Sequence, residues 1–158
     1  MESNVYLRRA GKEDAELFFK WVNEPVVRAN SFNTELIPWE NHQKWFEKVL
    51  ADGGVRIYVL MQDNLPVGQV RLSFEDNKWQ ISYSIASAYR GQGYGKLILQ
   101  LAENELVITG RAGEKLFAEV KIHNTASQRI FSRLGYVETA SNHSNAYAYV
   151  KVIGEKEH

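Results

Sequence analysis

The chain has 158 residues, a formal net charge of zero, four histidines and no cysteine. The length suits one domain, 1–158, with a real core, and the absence of a lysine-arginine run gives no electrostatic support for nucleic-acid or membrane-surface binding. Without cysteine there is no disulfide framework, no thiolate metal site and no cysteine nucleophile.

No apolar run is long enough to span a bilayer. Met1 to Tyr6 lack the basic-then-apolar form of a signal peptide, so the expected location is the cytoplasm. His42, His123, His143 and His158 are too scattered to suggest a metal site, and no metal is expected. His158, at the extreme C-terminus, is expected to be disordered.

In chain order, the first strand is expected near Val5–Arg9. A helix follows over Glu13–Val22, where Leu17, Phe18, Trp21 and Val22 form one stripe, and Asn23-Glu24-Pro25 breaks it. A second helix is expected over Pro38–Leu50, with His42, Trp45, Phe46 and Val49 on one face. Strands over Val55–Met61, Val67–Phe74 and Trp79–Ile85 make a meander. Its turns are Asp63-Asn64 and Asp76-Asn77, residue types that tolerate positive φ. Leu97, Ile98, Leu101 and Ala102 then recur at helical spacing, in a helix to about Ile108. Phe117–Ile122 reads as a strand, Asn124–Leu134 as a helix, and Tyr136–Thr139 and Ala146–Val152 as two last strands. Residues 141–145 form the loop between them.

Between the meander and the helix lies Arg90-Gly91-Gln92-Gly93-Tyr94-Gly95, followed by Lys96. Three glycines stand where a strand gives way to a helix. Glycine lets the backbone bend and lets a ligand come close. The first N–H groups of the helix point into the turn with the positive end of the dipole behind them. Such a turn binds phosphate, and Arg90 and Lys96 add charge. The spacing fits neither a nucleotide-triphosphatase loop nor a dinucleotide fingerprint. A bland alternative is a glycine-rich turn that merely caps a helix.

Arg90-x-x-Gly93-x-Gly95 resembles the pyrophosphate-binding motif of the GNAT superfamily of acetyl-CoA-dependent N-acetyltransferases. Val120 to Ser127, leading into Arg129 to Tyr136, is similar to the fifth strand, fourth helix and Leu-Gly-aromatic turn of that superfamily. There Asn124 is a plausible N-cap and Gly135 a plausible C′ residue. The resemblance covers essentially the whole chain. It implies an α/β GNAT fold, with a central mixed sheet of about six to seven strands flanked by about four helices. It implies acetyl-CoA as co-substrate, entering a gap between splayed fourth and fifth strands. The cofactor-binding set is then Ile85, Arg90, Gly91, Gln92, Gly93, Tyr94, Gly95, Lys96, Asn124, Ser127 and Phe131.

Transfer needs a held cofactor, an unprotonated amine, oxyanion stabilisation and a departing thiolate. Positioning supplies much of the rate, and backbone N–H groups near Ile85 could meet the oxyanion. The chain departs from the family at Phe131. Many members have there a tyrosine that protonates the leaving sulfur, and phenylalanine has no proton to give. Tyr83 and Tyr136 are possible substitutes, although core or strand aromatics are the commoner reading of both. Glu119, Lys121 and His123 alternate with Val120 and Ile122, which puts them on the polar face of the fifth strand. Glu119 is the first candidate for the base and His123 the second. The alternative is a solvated or salt-bridged face with Lys121 as partner of Glu119.

In this superfamily the N-terminal third chooses the acceptor. Trp21, Asn23 and Arg28, with His42 and Trp45, resemble the branch that acetylates UDP-linked amino sugars of the pseudaminic acid pathway type. An aromatic can stack on a base and Arg28 or Lys44 could neutralise a diphosphate. The plainer reading makes the aromatics core, His42 a hydrogen-bonded residue and Arg28 a surface one. The expected partner is a small-molecule amine, a nucleotide sugar for preference, with a homodimer possible. The alternatives are a GNAT enzyme for a protein N-terminus, a polyamine or an antibiotic amine, and a non-catalytic acyl-CoA-binding module.

Overall fold

A computed structural model of the chain describes residues 4–155; His158 lies outside the described residues. The strand β1 (Val5–Arg9) passes through a 3-10 turn (Lys12–Asp14) into α1 (Ala15–Val22). That turn delays the helix past Glu13. Asp14 is held there by the two terminal guanidinium nitrogens of Arg8, each at 2.8 Å, and accepts the Gly11 N–H at 2.9 Å. A short α2 (Pro25–Asn30) follows with no strand between, then α3 (Trp39–Ala51). The meander is β2 (Val55–Gln62), β3 (Leu65–Glu75) and β4 (Lys78–Ile85). Asp63, Asp76 and Asn77 take φ values of 53°, 52° and 62°, the left-handed geometry that lets such short turns follow the twist of the strands. Then come α4 (Tyr94–Ile108), β5 (Lys115–Lys121), α5 (Thr125–Arg133), β6 (Val137–Thr139) and β7 (Ala146–Val152).

The expected fold class stands. Seven strands form one sheet in the order β1-β2-β3-β4-β5-β7-β6. Among the described strands only β4 and β5 run parallel. Among the described residues the α-helices number five, because α2 begins at the very proline taken as a break. Proline at the first helical position starts a helix as readily as it stops one.

Each face of the sheet carries its own core. Leu60, Val70, Leu72, Ile81, Leu116 and Ala118 pack with Ile98, Leu99, Ala102 and Leu106 of α4. On the other face Ile57, Val59 and Met61 pack with Phe18 and Trp21 of α1 and Phe46 of α3. A strand alternates its side chains between faces, so β2 serves both cores. The same alternation sorts the site residues below into two groups.

Candidate active site

The parallel pair is where the sheet opens. β4 and β5 pair at Trp79–Leu116 and Gln80–Phe117, while β4 continues to Ile85 and β5 to Lys121. Beyond Gln80 the strands diverge and leave a gap. The Ala86 N–H donates to the Val67 carbonyl at 2.8 Å. In the antiparallel register that joins β3 to β4, this alternation turns the peptide groups of Tyr83 and Ile85 away from β3 and toward the gap. The Ile85 carbonyl accepts from Arg90 Nε at 3.0 Å. The Ile85 N–H and the Tyr83 peptide face the opening.

A cavity of about 810 Å³ runs through this gap, a volume suited to a cofactor-sized ligand. At its α4 end lies the glycine turn. Gly91 and Gly93 have φ of 76° and 88°, and Gly93 is the N-cap of α4. Apart from the chain neighbours, no atom of the described residues lies within 4 Å of where a Cβ on either would stand, so the turn is open to a ligand. The first intrahelical bond runs from Leu97 N–H to the Gly93 carbonyl, which leaves the N–H groups of Tyr94, Gly95 and Lys96 without an intrahelical acceptor. Gly95 has a different task. A Cβ there would stand 2.9 Å from Ile130 Cδ1 and 3.4 Å from the Tyr83 ring, so glycine lets α4 approach α5 and β4 closely.

The basic residues of the turn divide. Lys96 is exposed and lines the cavity. Arg90 also lines it, but its guanidinium is held by the Ile85 carbonyl and by Glu24 Oε2 at 3.2 Å. It braces the end of β4 against the corner between α1 and α2. The Gln92 side chain turns back to the Ala88 carbonyl, and the Tyr94 hydroxyl donates to Gln62 Oε1 at 2.6 Å.

Across the gap stands α5. Asn124 is its N-cap, accepting from the Ser127 N–H at 3.3 Å. Ser127 Oγ lies 2.6 Å from the Tyr83 hydroxyl. Burial pushes the Tyr83 pKa up, with the Ser127 hydrogen bond opposing. Phe131 is 2% exposed, among Tyr83, Tyr136 and Tyr149 at 6.1, 4.9 and 5.7 Å between ring centres. Of the two substitute hydroxyls, Tyr83 lines the cavity. Tyr136 is in the core cluster behind Phe131, its hydroxyl buried without a partner among the described residues.

Glu119 also lines the cavity, on the sheet face that carries α1 and α3. Its Oε2 accepts from Ser141 Oγ at 2.6 Å and from the Asn142 N–H at 3.3 Å. Its Oε1 has no hydrogen bond among the described residues. Lys121 is not its partner: Lys121 Nζ donates to the Ala29 carbonyl at 3.2 Å. His123 does not share the face. The strand ends at Lys121, and His123 sits exposed in the following turn, outside the cavity wall.

The N-terminal set is mostly structural. Asn23 grips Ile37 twice, donating to its carbonyl at 3.0 Å and accepting its N–H at 2.8 Å. Arg28 is neither exposed nor free. At 8% exposure it donates to the carbonyls of Val22, Asn33 and Glu35 at 2.7, 2.7 and 3.2 Å and to Ser31 Oγ at 3.2 Å. His42 is 2% exposed, its Nε2 is 2.9 Å from the Ala15 carbonyl, and it stacks on Phe46. Burial lowers its pKa, the carbonyl hydrogen bond opposing. Trp21 belongs to the α1–α3 core but reaches the cavity wall. Trp45 alone of the five stays open, 37% exposed at the cavity edge and 5.2 Å from the guanidinium of Arg71. Two residues of this site were missed in the sequence. Arg71 is inconspicuous among alternating strand residues, and Ser141 meets Glu119 only because β7 brings the 141–145 loop back across β5.

The acetyltransferase (GNAT) domain model matches residues 4–137. The chain belongs to the GNAT acetyltransferase family. Solved structures agree on the fold. A domain from Methanocaldococcus jannaschii shares 22% identity at a TM-score of 0.83, over 96% of this chain and 99% of that one. The aminoglycoside acetyltransferase AAC(6')-Ib, with ribostamycin and coenzyme A, gives 17% and 0.81, over 94% and 93%. Spermidine N-acetyltransferase from Vibrio cholerae, with coenzyme A and spermine, gives 15% and 0.80, over 94% and 95%. No curated protein sequence matches. Within the GNAT family the activity is acetyl-CoA-dependent N-acetyl transfer, and acetyl-CoA is the co-substrate. No described helix is long and apolar enough to cross a membrane.

Proposed function

We propose that acetyl-CoA lies through the β4–β5 gap and that the acceptor amine enters from the α1–α3 face, an amino sugar linked to a nucleotide being its class. The observation that carries this is the two-sided cavity, with the glycine turn at the α4 end and Glu119 on the opposite sheet face. The pyrophosphate takes the free N–H groups of residues 94–96. The pantetheine arm pairs with the gap edge of β4 as an added strand. The Ile85 N–H then stands near the thioester carbonyl, where it stabilises the oxyanion. Glu119 takes the proton of the attacking amine as nitrogen bonds to the carbonyl carbon. The carbon–sulfur bond breaks, and the thiolate takes a proton from the Tyr83 hydroxyl or from water.

The lining of the cavity supports an anionic acceptor. Among the described residues that form it Glu119 is the one acid, and of the cations Arg28 is bound to carbonyls, Arg90 is paired with Glu24, Lys96 lies at the glycine turn and Arg133 is exposed on α5, which leaves Arg71 as the free charge of the acceptor face. Spermine is a polycation, and with Arg71 offsetting Glu119 this face offers it no net attraction. A nucleotide-linked sugar brings a diphosphate and a base that can stack on Trp45. The test is an acceptor panel read by thiol release: UDP-linked 4-amino sugars, free amino sugars, peptides, polyamines and aminoglycosides. Efficient acetylation of peptides or polyamines with every nucleotide sugar inert overturns the acceptor class. No thiol release with any amine, with acetyl-CoA bound, favours an acyl-CoA-binding module.

Two further outcomes are expected. Gly93→Val should weaken acetyl-CoA binding by roughly tenfold or more, through the strain of a β-branched residue at positive φ and its Cβ in the phosphate turn. Gly110, with φ 84° and equally open surroundings, is the control. Gly110→Val carries like strain outside the cavity and should bind as wild type in calorimetry; equal losses in both variants would refute the phosphate turn. Transfer should also be direct, since the chain has no cysteine to hold the acetyl group and both substrates share one cavity. Bisubstrate kinetics should give intersecting lines. Parallel lines, or an acetylated protein trapped before acceptor is added, would contradict this.

A further inference from the structure

Arg71 is the unexplained cation of the site. It lies on β3, half-buried, and lines the cavity. Every other arginine or lysine of the same wall has a visible occupation or faces solvent. Arg28 and Arg90 are held by carbonyls and Glu24, while Lys96 and Arg133 are exposed. The Arg71 guanidinium has no hydrogen bond and no ion pair among the described residues. It meets the Trp45 ring at 5.2 Å. Glu75, four residues along the same strand, acts on it through space without pairing. A half-buried guanidinium loses hydration, and without an anion nothing replaces it. The planar fork matches phosphate or carboxylate, and an aromatic face beside it keeps the fork oriented.

The register fixes where this cation stands relative to the reacting centre. Arg71 is the cross-strand partner of Ser82. Ser82 lies two residues beyond Gln80, and Glu119 two residues beyond Phe117, the partner of Gln80. Arg71, Ser82 and Glu119 therefore form one row on the α1–α3 face of three successive strands. Two strand spacings, about 10 Å at the backbone, separate Arg71 from Glu119, and the splay adds to that. The carboxylate of a free α-amino acid is adjacent to its amine and is too close to use both ends of the row. A phosphate on the far side of a sugar ring is not.

The geometry points to Arg71, flanked by Trp45, as the anion subsite of the acceptor, taking a phosphate group while the amine lies at Glu119. This deepens the acceptor reading above and gives Arg71 the task that the resemblance suggested for Arg28 or Lys44.

Calorimetry on the full chain saturated with coenzyme A tests it, with UDP and inorganic phosphate as probes. Arg71→Ala should weaken UDP binding by about tenfold or more, as expected for losing a charge-assisted hydrogen-bond pair. Arg71→Lys should weaken it less, and coenzyme A affinity should be unchanged in both. A melting curve for each variant confirms that the sheet is intact. Inorganic phosphate should compete with UDP in wild type and not in Arg71→Ala; UDP binding that phosphate does not displace would place the contact on the base instead and overturn the subsite. It is also overturned if wild type does not bind UDP, or if both variants bind as wild type does. Kinetics separates the subsite from the acceptor class. If UDP binding depends on Arg71 while no nucleotide sugar is acetylated, the subsite stands and the nucleotide-sugar reading falls. If nucleotide sugars are acetylated with KM unchanged in Arg71→Ala, the class stands and the subsite falls.

Discussion

Glu119→Gln is expected to lower kcat by roughly a hundredfold near neutral pH, the lower end of what a positioned general base supplies. Acetyl-CoA affinity should stay within about twofold, because the substitution touches no group of the glycine turn. The replacement is nearly isosteric. The glutamine side chain can keep a hydrogen bond to Ser141, which the carboxylate now makes at 2.6 Å, so the 141–145 loop should remain in place. What is lost is a group that accepts a proton. The sign of the pH dependence follows. At low pH the acceptor amine is protonated and must be deprotonated on the enzyme, so the gap between wild type and variant is widest there. As pH rises the amine loses its proton to solvent, and the variant recovers toward wild type. Turnover read by thiol release across this range, beside calorimetry of acetyl-CoA, checks both halves. Near-wild-type kcat at every pH would remove Glu119 as base. The role would not then pass to His123, whose turn lies outside the cavity wall; ordered water in the gap would be the next candidate.

What the sequence made legible was local. Alternation and turn chemistry placed β1 and β7 at their observed ends, because a strand with one buried face writes its period into the residues. The glycine turn was readable for the same reason: left-handed φ at Gly91 and Gly93 demands a residue type. Helix α2 was not readable. Pro25-Val26-Val27 gives weak helical propensity, and tertiary contacts decide it: Arg28 reaches back to Val22 and forward to Asn33 and Glu35. The roles of charged and polar residues in the acceptor region were the least legible. Arg28 and Asn23 look like ligand groups because arginine and asparagine are good at both jobs, holding a loop and holding a substrate. Which job each does depends on carbonyls five to fourteen residues away in sequence. Arg71 was hidden for the converse reason. An arginine in an alternating strand reads as a solvated face, and only Trp45, reaching from α3 to the Arg71 guanidinium, makes that face part of a cavity wall.

Arg28→Ala should therefore act on the fold before it acts on any substrate. Two opposing effects set its size. Removing a half-desolvated cation relieves some burial cost, which favours the variant. Against that, the carbonyls of Val22, Asn33 and Glu35 and the Ser31 hydroxyl lose their donor together. Val22 and Ser31 are half-buried and Asn33 and Glu35 exposed, so water replaces part of the bonding and each acceptor costs about 1 kcal/mol, the low end for a lost partner, while the truncated side chain leaves space beside α2. Several lost donors outweigh one relieved charge, for a net loss of roughly 3 kcal/mol. For a chain of this size that lowers Tm by about 6–12 °C. Arg28→Lys should restore little, since a single ammonium cannot span acceptors on both sides of the α2 segment as the guanidinium fork does. Thermal melting decides the matter. A folded Arg28→Ala variant with unchanged Tm and a raised acceptor KM would return Arg28 to the substrate and weaken the assignment of Arg71. A lowered Tm, with KM for the acceptor little changed in the molecules that remain folded, fits a residue that ties α1, α2 and the loop before α3 into one wall of the cavity.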